Sequence, residues 1–500
     1  MIPLSPHEVA AAVSGVLHGV PDDAVGRTSI TSVVADSRAV VPGALFVAIP
    51  GERVDGHDFA ASAVESGSPL VLCSRPVRDA DGADLPCVVV EDPVAALGAL
   101  AAWYRTARLT CSVVAVTGSS GKTSTKDLIA RVLATAGPTV SPQGSFNTEV
   151  GLPLTVLQAD ASTRFLVLEM GMRGEGHIAY LAGLVRPDIS VLLNVGSAHL
   201  GLLGSREAIA RAKGEIIRDL PASATAVLNT DDALVAAMSG HTAAHVVRFG
   251  ESSDARVRAT DVRLDERARA RFTLVDTADA GADAVASTAP VQLLLSGRHH
   301  VSNALAAAAV GVVSGLSVHQ VAGALGLAVP DSRWRMEVSE APGGCTVIND
   351  AYNANPESMR AALASLAAMS GGRRTWAVLG EMRELGDAAE SAHAAVGSFA
   401  VQEGVARLVC VGEATRAMHR AACDEWARVA GSDTTDGDGE PVLVPDPAAA
   451  IALLTAQVRP EDIVLVKASR SIGLEVVAEA LLEADASRVA VREADEVPRA

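Results

Sequence analysis

The run SVVAVTGSSGKTSTK at 112–126 limits what this chain can fold into more than any other segment. An apolar stretch of strand character, Ser112–Val116, passes directly into Gly118-Ser-Ser-Gly121-Lys122-Thr123 and then into a helical pattern. Glycines let backbone N–H groups curl round a phosphate, and the N-terminus of the following helix adds a favourable dipole. In that setting Lys122 reaches the β- and γ-phosphates of a nucleoside triphosphate, and the Thr123 hydroxyl can hold Mg²⁺. Position 116 is Val, so the strict GxxxxGK[ST] form is not met. The GxxGKT core is kept in its strand–loop–helix context. Thr117, Gly118, Ser119, Ser120, Gly121, Lys122, Thr123 and Ser124 are the candidate nucleotide-binding residues.

Short apolar runs recur after this loop at Phe165–Leu168, Ile189–Leu193 and Ala226–Leu228, with helical patterns between them. That alternation predicts a parallel α/β sheet. Residues 257–295 alternate instead like antiparallel hairpins around a Gly/Ala/Asp turn. From about 331 the strand–helix alternation restarts, with strands at Thr375–Leu379, Leu408–Val411 and Ile463–Val466. Before the loop, strands at Thr31–Val34, Ala44–Ile49, Leu70–Cys73 and Cys87–Val90 and a helix over Ala95–Arg108 form a separate unit. The chain of 500 residues is too long for one core. We expect units at 1–108, 109–330 and 331–488, a surface loop at 431–440 and a frayed tail at 489–500.

A phosphate-binding loop needs a carboxylate for its metal, and FLVLEMG offers Glu169 at the end of a buried strand. Parallel strands end on one edge, so Glu169 is expected to face the loop. NVGSAHLG likewise places His199 after the next strand, as a metal or substrate ligand. ARAKGEI sets Lys213 at the start of a helix. GRHHVSNALAAAAV puts Asn303 near the N-terminus of an Ala-rich helix, where Ser302 or Asn303 either caps the helix or Asn303 meets a base edge. SRWRMEV supplies Arg333 and Arg335. VINDAYNANPESM crowds Asp350, Asn353 and Asn355 into a turn, and VLVKASRSIGLE gathers Lys467, Ser469 and Arg470 into an expected anion site.

Composition sharpens this. The formal net charge is −18, which argues against nucleic acid or an anionic membrane as partner. Positive charge that binds anionic substrates must therefore be local. Only Lys122, Lys126, Lys213 and Lys467 are lysines among 41 basic residues, so each is expected where a compact ammonium is needed. The N-terminus reads as a short helix, not a signal peptide. The longest apolar run, Ala304–Leu316, is shorter than a membrane span and reads as a buried helix. The six cysteines show no CxxC pairing and fit buried thiols of a cytoplasmic protein. Nothing demands more than a monomer. The rival reading is a P-loop switch or motor, although no NKxD-type guanine motif is present.

From about residue 30 to 480 these motifs, in this order, resemble the Mur ligase family. Within it, TGSSGKT, NDAYNANPESM and LGEMRELG are similar to the branch that joins D-alanyl-D-alanine to UDP-N-acetylmuramoyl-tripeptide. The DYAH-type and DNPR-type motifs of the tripeptide-forming branch are absent. The resemblance implies a UDP-substrate-binding domain, a central ATPase domain and a C-terminal Rossmann-like domain. It implies that Ser37 and Arg38, in Asp36-Ser37-Arg38, help hold the uridine nucleotide. Lys122 and Thr123 would serve ATP and Mg²⁺. Glu169 and His199 would bind magnesium, joined by Lys213 as a carbamate. Asn303, Arg335 and Asp350 would contact adenine, phosphates and ribose. Asn353, Asn355, Lys467, Ser469 and Arg470 would lie near the incoming dipeptide. SFNTEVGLP resembles a substrate loop and contributes Asn147. Its Thr148 departs from the second Asn expected there. The implied chemistry is an acyl phosphate followed by amide formation.

Overall fold

The computed structural model describes residues 1–20, 28–51, 54–277, 286–430 and 439–483. The expected tail at 489–500, most of the loop at 431–440 and the turn within the hairpin region fall outside these.

Three sheets organise the chain. The first holds β1 (Val16–His18), β2 (Ser32–Val34), β3 (Ala44–Val47), β4 (Leu70–Cys73) and β5 (Cys87–Val89) in the order β1-β5-β4-β3-β2. Only β1 runs antiparallel to its neighbour. The central sheet contains β6 (Ser112–Thr117), β7 (Thr139–Val140), β8 (Phe165–Glu169), β9 (Ile189–Leu192), β10 (Thr225–Asn229) and β11 (His245–Gly250). It continues through β12 (Val257–Leu264), β13 (Arg269–Asp276) and β14 (Ser287–Ser296). Its order is β14-β13-β12-β11-β10-β9-β6-β8-β7. The third sheet holds β15 (Glu337–Glu340), β16 (Thr346–Asn349), β17 (Thr375–Leu379), β18 (Arg407–Val411), β19 (Val442–Val444) and β20 (Ile463–Lys467), in the order β15-β16-β20-β17-β18-β19.

The side-chain patterns explain these arrangements. β6, β8 and β9 are apolar along their length and buried on both faces, as a parallel sheet covered by helices requires. β14 alternates buried and exposed residues, and β12, β13 and β14 pair antiparallel as the alternation predicts. Register then positions the site. Val116 pairs with Glu169, and Thr117 pairs with Leu192, so β6, β8 and β9 end side by side at one edge.

Helix bounds differ in places from the sequence expectation. The helix expected from Ala95 begins at Pro93, because Asp92 caps it by accepting from the N–H groups of Val94 and Ala95. The Ala-rich helix spans His300–Val313, starting before Ala304 and ending before Leu316. Its alanines are fully buried against the helix that follows the phosphate loop. The approach is close: a Cβ on Gly311 would sit 2.7 Å from Val132 Cγ1. The cysteines are free thiols, all buried except the half-buried Cys423. Among the described residues no helix is long and apolar enough to cross a membrane.

Tyr104 ties the first unit to the second. Its fully buried hydroxyl accepts from Ile2 N at 2.6 Å and donates to Ala159 O at 2.7 Å. Tyr104→Phe leaves both partners without that hydroxyl and should cost roughly 1–3 kcal/mol. The check is the urea unfolding midpoint, which should fall. An unchanged midpoint would mean the tie contributes nothing.

Candidate active site

The loop after β6 is shaped by what surrounds it. Gly121 has φ +78° and caps the helix Lys122–Ala134. A Cβ there would lie 2.6 Å from Asn303 Oδ1, and one on Gly118 would lie 2.9 Å from Leu193 Cβ. Both positions exclude side chains, one of them on conformation as well. Lys122 Nζ donates to Gly118 O at 2.8 Å, folding the lysine back over the loop. Burial pushes its pKa down, with Glu169 opposing that shift.

Behind the loop stands Glu169, 1% exposed. It accepts from Thr123 Oγ1 (2.7 Å), Ser145 Oγ (2.8 Å) and Asn147 Nδ2 (2.6 Å). A carboxylate this buried is stable as an anion only with such donors or a cation. Glu169 therefore faces the loop as the strand order predicts, and Asn147 reaches the same carboxylate. The oxygen donors of Thr123 and Glu169 suit a hard cation such as Mg²⁺. Among the described residues no group of three or more His, Cys, Asp or Glu could hold a metal alone. An ion here would lean on the nucleotide's phosphates.

Asn194, absent from the residues singled out from sequence, secures the loop. Its Oδ1 accepts from the N–H groups of Ser119 and Ser120, both at 3.0 Å, and its Nδ2 donates to Ser120 O at 3.2 Å. The clue available in the sequence was a polar residue closing an apolar strand. Asn303 lies inside its helix as the fourth residue, so neither it nor Ser302 is the cap; that position is His299. Asn303 Oδ1 accepts from Thr125 Oγ1 at 3.2 Å.

The third sheet supplies the facing wall. Asp350 accepts from Met336 N at 3.1 Å, and its Oδ2 lies 2.6 Å from Lys467 Nζ. Lys467 also donates to Asn353 O at 2.8 Å. Arg335 lies 4.2 Å over the Tyr352 ring, and its buried Nε has no hydrogen-bond partner. His299 also faces the cleft, with burial pushing its pKa down to about 4. His199 is left-handed at φ +68°, with Nδ1 2.7 Å from Glu384 Oε2. These walls enclose a cavity of about 440 Å³ that also takes in Ser119, Ser120, Ser124, Asn194, Asn303, Asn355 and Glu357.

Several predicted residues stand elsewhere. Thr117 is not in the cavity wall; its hydroxyl donates to Met170 O at 2.9 Å. Lys213 is in the middle of the helix Arg206–Arg218, not at its start. It is 1% exposed and has no hydrogen-bond or ion-pair partner among the described residues. Burial, aided by Lys122, drives its pKa well below the usual lysine value. Lys126 turns away from the loop to pair with Asp127. Lys467, Ser469 and Arg470 do not converge on an anion site. Lys467 is neutralised by Asp350, Ser469 Oγ accepts from Arg383 N at 2.9 Å, and Arg470 pairs with Glu475 and stacks 4.2 Å over Trp334. Asn355 is a helix cap, accepting from Ser358 N, as well as a cavity residue. Arg333 stacks on Trp334. Ser37 and Arg38 lie in a turn of the first unit outside this cavity, with Arg38 paired to Asp36 at 2.7 Å.

A phosphate-binding loop with a buried carboxylate behind its threonine, opening onto a second α/β wall that carries arginine and lysine, defines a P-loop enzyme working between lobes. The comparisons agree. The Mur ligase family catalytic-domain model matches residues 29–105, the Mur ligase middle domain matches 116–311, and the glutamate ligase domain of Mur ligases matches 334–470. The chain is 47% identical to the UDP-N-acetylmuramoyl-tripeptide–D-alanyl-D-alanine ligase of Mycobacterium tuberculosis, over 97% of this chain and 99% of that protein. It is 35% identical to the Escherichia coli ligase of the same name, again over 97% and 99%. The crystal structure of MurF from Acinetobacter baumannii superposes with a TM-score of 0.81 at 30% identity, covering 96% of this chain and 99% of that one. MurF from Thermotoga maritima, solved with ADP, gives 0.74 at 28% identity over 92% and 99%. The chain belongs to the Mur ligase family and is an ATP-dependent, amide-bond-forming ligase.

Gly121→Ala and Asn194→Ala probe the loop separately. The first adds left-handed strain of roughly 1–3 kcal/mol and a clash with Asn303, so nucleotide affinity should fall at least about tenfold. The second frees two N–H groups and should weaken binding without moving Glu169. Titration with a fluorescent ATP analogue checks both. Wild-type affinity in Gly121→Ala would contradict the packing described.

Proposed function

We propose that this ligase joins D-alanyl-D-alanine to UDP-N-acetylmuramoyl-tripeptide at the expense of ATP, giving the UDP-MurNAc-pentapeptide precursor of peptidoglycan. The observation that carries the reading is the pairing of Thr123 with the buried Glu169 inside a cleft shared with the third unit. The near full-length likeness to ligases of that name supports the substrate. The units 1–108, 109–330 and 331–488 would serve as UDP-substrate, ATP and C-terminal ligase domains. Ser37 and Arg38 would meet the uridine nucleotide outside the main cavity. The free thiols fit work in the cytoplasm, and the acidic charge fits a monomer that neither binds nucleic acid nor inserts into a membrane.

The chemistry follows from charge. The peptide's terminal carboxylate oxygen attacks the γ-phosphorus of ATP, the bond to the β-bridging oxygen breaks, and ADP leaves. The D-alanyl-D-alanine amine then attacks the acyl carbon. The carbon–oxygen bond to phosphate breaks, inorganic phosphate departs, and the amine gives up a proton. Lys122 and the first-turn N–H groups hold the β- and γ-phosphates. Arg335, with an unpartnered Nε, meets charge developing on the transferring phosphoryl group. Asn303 and Asp350 line the nucleotide side, and Asn147, Asn353 and Asn355 line the path of the peptide substrates. Mg²⁺, held by Thr123 and Glu169 with His199 and a carbamate of Lys213 completing a second position, would neutralise phosphate charge. Lys213 is suited to that modification: burial favours its neutral amine, which adds to CO₂ to give a carbamate and a proton, and so becomes an anion.

The direct test is phosphate release from ATP with UDP-MurNAc-tripeptide, comparing D-alanyl-D-alanine, L-alanine and meso-diaminopimelate as acceptors. Release that requires D-alanyl-D-alanine, with the matching mass gain in the nucleotide product, is expected. Release with a single amino acid would move the chain to another Mur-type step. For Lys213, ¹³C-bicarbonate should give a carbamate carbon signal that weakens on acidification, because a protonated amine cannot hold CO₂. The signal should be lost in Lys213→Arg. No such signal in wild type would remove the carbamate.

A further inference from the structure

The segment 194–197, between β9 and His199, is gripped from two sides. On one side is the phosphate loop: Asn194 holds the Ser119 and Ser120 N–H groups, and Gly196 N donates to Ser119 Oγ at 2.8 Å. On the other is the third unit. Glu357, in the first turn of the helix Pro356–Met369, accepts from Ser197 N at 2.8 Å and from Ser197 Oγ at 2.9 Å. Neighbouring Asn355 Nδ2 reaches Ser119 O at 3.4 Å. A Cβ on Gly196 would lie 2.8 Å from the Glu357 carboxyl carbon, so a side chain there would push the carboxylate aside. A second contact reinforces the first. Gly201 N donates to Glu384 O at 3.2 Å, and a Cβ on Gly201 would lie 2.5 Å from Gly386 N, so backbone lies on backbone.

We infer that Glu357 is a positioning residue that latches the third unit onto the phosphate loop through Ser197. It touches the β9 loop, which in turn holds Ser119, so closure and loop geometry are set together. Glu357 is exposed, and water competes for its carboxylate. Such a contact forms and breaks readily, as a latch between turnovers must. Its task, on the ligase reading above, is to keep water from the acyl phosphate. With the latch open, a water oxygen adds to the acyl carbon, the bond to phosphate breaks, and the original carboxylate, inorganic phosphate and a proton result. ATP is then spent without an amide.

The measurement is phosphate released per amide formed at saturating D-alanyl-D-alanine, with wild type, Glu357→Ala, Glu357→Gln and Ser197→Ala. Loss of two hydrogen bonds to a charged carboxylate, one of them from a backbone N–H, should shift the closed population about tenfold. Glu357→Ala should therefore release clearly more phosphate than amide. Glu357→Gln should stay near wild type, because its Oε1 accepts from the Ser197 N–H and its Nε2 donates to Ser197 Oγ. Ser197→Ala should fall between, and it carries the test alone if Glu357→Ala does not fold. One phosphate per amide in Glu357→Ala, or in Ser197→Ala where that stands alone, overturns the latch. Equal leakage in Glu357→Gln and Glu357→Ala overturns its hydrogen-bonded basis. Wild-type protein that forms no amide with any acceptor would instead remove the ligase reading on which the latch rests.

Discussion

The cleft depends on the parallel pairing of β8, β6 and β9. Their register brings Glu169, Thr117 and Leu192 to one edge, so three loops start within reach of each other. Each loop is then held by the next. Asn194 from the β9 loop occupies the N–H groups of Ser119 and Ser120, while Glu169 from the β8 end fixes the Thr123 hydroxyl. The first turn of the helix Lys122–Ala134, whose N–H groups have no intrahelical acceptors, is left to face the nucleotide. Shifting one strand by a single residue would turn Glu169 to the opposite face.

Charge inside this acidic protein is unevenly satisfied, and the unevenness separates cations that are already paired from those left open. Lys467 is buried but already paired with Asp350 and the Asn353 carbonyl, so it orders the wall rather than offering a free cation. Arg335 packs its face on Tyr352 and keeps Nε unpartnered. Lys213 has burial without a counter-charge, which favours the neutral amine. Of these cations, Arg335 retains the capacity to meet a phosphoryl group, and Lys213 favours the neutral amine that reacts with CO₂.

What the sequence made legible follows the same logic. The phosphate loop and Glu169 were readable because strand, turn and helix chemistry are local, and parallel strands share an edge. The antiparallel excursion was readable from period-two alternation in β13 and β14. Ser469 and Arg470 misled because charge density carries no direction. Arg470 turns to Glu475 and to the Trp334 ring, a partner remote in sequence. Thr117 misled because its hydroxyl answers to the Met170 carbonyl, just past the end of the neighbouring β8. Asn194 and Glu357 escaped notice because their value lies in backbone groups contributed by other loops, which no local pattern displays.

The segment joining the second and third units adds one constraint. Trp334 and Met336 both have positive φ, +60° and +49°, on either side of Arg335. For non-glycine residues this costs about 1–3 kcal/mol each and persists only where neighbours enforce it. Here they do: Glu337 accepts from Trp334 N, Asp350 accepts from Met336 N, and Tyr352 N donates to Trp334 O. The conformation that aims Arg335 into the cleft is therefore sustained by Asp350, the residue that also neutralises Lys467. Met336 and Asp350 flank the paired strands β15 and β16, so Arg335 and its support belong to one hairpin and move with the third unit. On the latch inferred above, closing the cleft would bring this preformed wall and the contact at Ser197 to the phosphate loop together.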